Sequence, residues 1–191
     1  MTATPLSALI AFIALAGAPA AQTTGQSQDP GAVLAAQSPL GLTGVEALVG
    51  IPMSTLAAAP LVCADPAPDG AKACRVARRY GDYLIDSPPP LTDKVRLKRL
   101  TLFVRGQSVE AVSLETSPDN FHALLGLLKA RFGPPASSHS ARIQFAHGAA
   151  PRLTMTWRAG GLRASLTDPT PFGALSVRIT ASHGLPKRPA A

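Results

Sequence analysis

Three runs near the C-terminal end put an apolar residue at every second position: Leu153, Met155 and Trp157, then Leu162, Ala164 and Leu166, then Leu175, Val177 and Ile179. A period of two keeps those side chains on one face of a strand, whereas a helix would spread them around its axis. Gly160-Gly161 leaves room only for a two-residue turn between the first two runs. That turn pairs Trp157 with Ala164, Met155 with Leu166 and Thr156 with Ser165, so large faces small on the core side and hydroxyl faces hydroxyl outside. With Ile143 and Phe145 marking a strand upstream, the segment is expected to be a four-stranded meander.

An earlier hairpin follows the same logic. Leu100, Leu102 and Val104 alternate with Thr101 and Phe103, Gly106-Gln107 turns the chain, and Val109 to Thr116 returns. The expected register sets Val104 against Val109 and Leu102 against Ala111. Between the two sheets, Pro118 to about Phe132 carries a helical stripe of Phe121, Leu124, Leu125, Leu128 and Phe132. Ser117 is its expected cap, Asp119 suits its positive end, Lys129 and Arg131 its negative end, and Gly133-Pro134-Pro135 stops it. Gly44 to Pro52 is read as a short strand or extended lead-in, Ser54 as the cap of a short helix from Thr55 to Ala59, and Cys74 to Ile85 as one strand. The expected fold class is therefore α+β, built as two tandem helix-then-antiparallel-sheet units (about 44–116 and 117–182) with helices packed on one face of the sheet.

The first 28 residues carry no charged side chain. Leu6 to Leu15 form an apolar run too short for the ~20 residues of a membrane span, and Ala18-Pro19-Ala20 is a small-residue cleavage pattern. Residues 1–20 read as a signal peptide, with an uncleaved N-terminal anchor as the alternative, since the first basic residue is Lys72. Residues 21–43 are expected as a flexible linker, 44–182 as the domain and 183–191 as a flexible tail. Export places the chain in the periplasm or outside the cell, without a stable membrane anchor. In such a compartment the only two cysteines, Cys63 and Cys74, are expected to form a disulfide.

Charge is the main functional signal. The chain has 18 Lys and Arg against 11 Asp and Glu, a formal balance of +7. Arg152, Arg158, Arg163 and Arg178 share the outward strand phase with Thr154, Thr156, Ser165, Thr167, Ser176 and Thr180, and are the first anion-binding candidates. Arg75, Arg78, Arg79, Lys98 and Arg99 form a secondary basic patch. Stacking aromatics are not interleaved with these charges, so nucleic acid is not an expected partner. No zinc-protease, nucleophile-elbow, phosphate-loop or EF-hand motif is present, and no catalytic residue, metal or cofactor is assigned. His122, His139, His147 and His183 are scattered; Asp119 and His122, one helical turn apart, read as a solvated face. Asp82 and Asp86 beside a Pro-rich turn read as turn chemistry.

Gly50-Ile51-Pro52-Met53, the Cys63 and Cys74 pair, Leu100 to Val104 with Val109 to Val112, and Phe121 to Pro135 together resemble small exported bacterial proteins of the β-lactamase-inhibitor-like architecture, which includes the small lipoprotein of the outer-membrane assembly machine. The resemblance covers roughly residues 45 to 180 and implies a fold, with no functional residue carried over. The lipoprotein cysteine and an aromatic-rich inhibitory face are absent from the pattern. The expected function is a non-enzymatic binding or interaction module for an acidic protein or an anionic envelope component. The alternatives are an enzyme with a pocket near residues 80–86, and an envelope scaffold without a small ligand.

Overall fold

A computed structural model describes residues 29–145, 148–168 and 173–181. The expected leader, residues 21–28 of the expected linker, the tail at 183–191, His147 and His183 lie outside the described residues.

Two short helices open the fold, α1 (Pro30–Ala36) and α2 (Gly41–Ala47), followed by a 3-10 turn at Met53–Leu56. The strands are β1 (Leu61–Cys63), β2 (Ala71–Tyr80), β3 (Tyr83–Asp86), β4 (Leu97–Arg105) and β5 (Ser108–Thr116). Helix α3 (Phe121–Phe132) then leads to β6 (Ser137–Phe145), β7 (Gly148–Ala159), β8 (Leu162–Asp168) and β9 (Leu175–Ala181). The sheet order is β1-β2-β4-β5-β9-β8-β7-β6, with β3 paired to the far end of β2 and every neighbouring pair antiparallel.

This corrects the expected pair of tandem helix-then-sheet units with packed helices. The protein is mostly one continuous antiparallel sheet, and its helices are short, of seven, seven and twelve residues. The seam is β5 against β9, where Val112 faces Ile179 and Leu114 faces Val177. Each of these strands would otherwise leave a row of backbone donors and acceptors open, and pairing them satisfies both rows. One core results: Leu102, Val112, Leu124, Leu128, Trp157, Val177 and Ile179 join Leu34, Val45 and Leu56 in a single cluster. Segments without regular structure complete the cover, with Leu91 and Val95 fully buried.

The segment expected as a linker is ordered from residue 29. Asp29 caps α1 by accepting from the Gly31 amide at 3.0 Å, Pro30 occupies the first turn, and Leu34 is buried. Nor is the stretch after Gly44 extended. Leu42, Val45 and Leu48 recur at three-residue spacing, which puts one apolar edge of α2 and its end on the core. Arg131 of α3 then grips Glu46 of α2 with both arms, at 2.8 and 2.7 Å.

Three further local differences have plain causes. The stretch from Cys74 to Ile85 is two strands, because Gly81 with φ of 58° turns the chain between Tyr80 and Tyr83. In β5 an extra residue, Glu110, shifts the register after Val104↔Val109, so Leu102 faces Val112 and Phe103 faces Ala111. Ser117 bonds Asp119 at 2.8 Å instead of capping a helix, and the chain enters α3 through a 3-10 turn at Pro118–Asn120. The Gly160-Gly161 hairpin has all three expected pairs.

Cys63 and Cys74 are disulfide-bonded, directly opposite each other on β1 and β2. No helix among the described residues is long and apolar enough to cross a membrane.

Candidate functional site

Strand alternation leaves a polar face opposite the core. One row crosses it strand by strand: Arg75 (β2) stands opposite Thr101 (β4), then come Ser113 (β5), Arg178 (β9), Ser165 (β8), Thr156 (β7) and Ser137 (β6). Charge is not spread evenly along that row. At the β2 end the guanidinium groups are compensated. Asp86 lies 3.3 Å from Arg75 and 3.0 Å from Arg99, and Glu115 lies 3.4 Å from Arg99. The hydrogen bond to Asp86 is the largest cause raising the Arg99 pKa above its ordinary value. Arg105 is likewise held by Asp69 and Glu110.

At the other end no such ion pair is present among the described residues. Arg163 and Arg178 line a concavity of about 320 Å³ with Thr154, Thr156, Ser165 and Thr180, and no carboxylate contributes to its wall. Arg178 is fixed from below, its guanidinium carbon 4.3 Å from the centroid of the Phe103 ring. Arg163 stands in register opposite Arg158, both exposed. Like charges directly across a strand pair repel, and among the described residues no carboxylate relieves them. Guanidinium forks beside hydroxyl donors form a cradle for a carboxylate, phosphate or sulfate.

The four first candidates therefore separate. Arg163 and Arg178 line the concavity and Arg158 stands opposite Arg163, while Arg152, opposite Ala141, lies six residues from Arg158 along β7, roughly 20 Å away. The secondary basic patch is divided by ion pairing and strand phase. Arg75 and Arg99 are in the ion-pair network, Lys98 is the extra residue of a bulge in β4, and Arg78 and Arg79 point to opposite faces of the β2–β3 ribbon. Phe103 was missed as the platform for Arg178. An aromatic residue in the outward phase of a strand otherwise bearing Thr101, Arg99 and Arg105 was its only sequence signal, because the β5–β9 seam that brings Arg178 near β4 is a long-range pairing.

Asp86 is the hub of the ion pairs, and Asp82 is exposed in the ribbon turn. Asp119 and His122 are both exposed. Comparison with known family models, curated proteins and solved structures found no match to this chain. The likeness to the β-lactamase-inhibitor-like architecture rests on sequence pattern alone.

Proposed function

We propose that the chain is an exported, periplasmic or secreted, non-enzymatic binding module that engages an acidic protein or an anionic envelope component through its open sheet face. The observation that carries this reading is that Arg163 and Arg178 line a concavity with four hydroxyls, with Arg158 opposite Arg163, and that among the described residues none of the three has an ion-pair partner on a face where other arginines are neutralised. The uncharged apolar leader and the disulfide support export. An enzymatic pocket near residues 80–86 has less support, since that segment is a ribbon with Tyr80 and Tyr83 turned to solvent.

Fluorescence anisotropy with labelled poly-glutamate tests the reading. Binding is expected to weaken steeply as salt rises from about 50 to about 300 mM, where the screening length falls below 10 Å. Arg163→Ser with Arg178→Ser should abolish it, while Lys94→Ser with Lys129→Ser, the same change in net charge elsewhere, should leave most of it. Equal losses from the two double variants would reduce the site to a general charge effect and overturn it.

A further inference from the structure

Beyond Arg75, β2 leaves β4 and continues with β3 as a two-stranded ribbon. Cys74 and Val76 face the core, and Arg78 and Tyr80 continue their phase. Across the ribbon Tyr83 pairs with Tyr80 and Ile85 with Arg78, so these four side chains share one face. Nothing among the described residues covers it. Tyr80, Tyr83 and Ile85 are 59%, 78% and 50% exposed, and they are the exposed large hydrophobic residues of the described fold. An exposed apolar patch of this kind is often an interaction site.

Size and chemistry select the occupant. Two tyrosines and an isoleucine at these exposures offer on the order of 350 Å², well below the ~800 Å² per partner of a stable protein interface. Tyrosine, with an apolar ring and a polar tip, suits the boundary between lipid headgroups and acyl chains. Arg78 on the same face and Arg79 behind it have no carboxylate partner among the described residues and outnumber Asp82 in the turn. We propose that the β2–β3 ribbon is a peripheral contact for an anionic lipid surface, with Tyr80, Tyr83 and Ile85 at the headgroup boundary and Arg78 against lipid phosphates, while Arg79 on the other face adds to the local positive potential. It is a site separate from the Arg163–Arg178 concavity and does not depend on it.

The chain contains only two tyrosines, so fluorotyrosine incorporated into the full chain reports on Tyr80 and Tyr83 alone. Phosphatidylcholine vesicles enriched in phosphatidylglycerol and carrying a headgroup spin label should broaden both fluorine resonances, and added salt should reverse the effect. Arg78→Ser should lower vesicle partitioning about fivefold, the contribution of one cation near an anionic surface. Arg163→Ser with Arg178→Ser should leave the broadening intact, which separates this site from the sheet face. Sharp tyrosine resonances on a chain that still sediments with vesicles would overturn the proposal, as would equal broadening by pure phosphatidylcholine. Resonances that ignore vesicles and respond to poly-glutamate would also overturn it, assigning the ribbon to an acidic polypeptide.

Discussion

Arg178 of β9 rests on Phe103 of β4, two strands away across the β5 seam, with 4.3 Å between guanidinium carbon and ring centroid. The ring holds the guanidinium over the sheet and leaves its edge donors free for a ligand. Phe103→Leu keeps an apolar side chain under Arg178 and removes the ring face. Poly-glutamate affinity should fall about two- to fivefold, as expected for an exposed cation–π contact, with little change in melting temperature.

Trp157 joins the sheet to the end of α3. Its indole is fully buried, and Nε1 donates to the Gly133 carbonyl at 3.0 Å. Gly133, with φ of 79°, is where the chain leaves the helix, so this bond fixes the path toward β6. Trp157→Phe removes the donor, strands a carbonyl and leaves a small void. A loss of about 2 kcal/mol is expected from urea denaturation.

Much of the second half was legible because its signals are local. The period-two runs and Gly160-Gly161 determine the pairs of β7 with β8 without reference to the rest of the chain. Helix α3 was equally readable from its stripe and its Gly-Pro-Pro stop. What failed depended on distance. Leu34 and Leu40 sit in a segment whose composition looks like a linker, and only their contact with the core makes it ordered. The seam between β5 and β9 joins residues far apart in the chain, as Ser113 and Arg178 show. Hence the outward arginines could be assigned to a face, but not sorted into compensated and uncompensated groups.

Asp86 governs that sorting at the β2 end. It is mostly buried, touches both Arg75 and Arg99, and its Oδ1 has an ion-pair contact without a hydrogen bond. Asp86→Asn removes the charge that both guanidinium groups share. Stability should drop by about 1 kcal/mol, kept modest because both arginines are partly solvated. Poly-glutamate binding should rise as well, since Arg75 becomes available and Arg99 keeps only Glu115. Unchanged binding would show that pairing with Asp86 is not what silences this end of the face.

Asp168 ends β8 on the core side, opposite Leu153. Burial raises its carboxyl pKa above the ordinary value, because a charged oxygen there is poorly solvated. The unfolded chain binds its proton only near pH 3.9, so the favourable contribution of the protonated form is complete below that value and disappears as pH rises through the higher folded one. At neutral pH the ionised group therefore opposes folding. Asp168→Asn should melt at a higher temperature than the parent at pH 7, with the gap closing toward pH 3.5. Other carboxylates titrate in both proteins and cancel in the difference. A gap that stays constant or widens on acidification would place the penalty in something other than the buried charge.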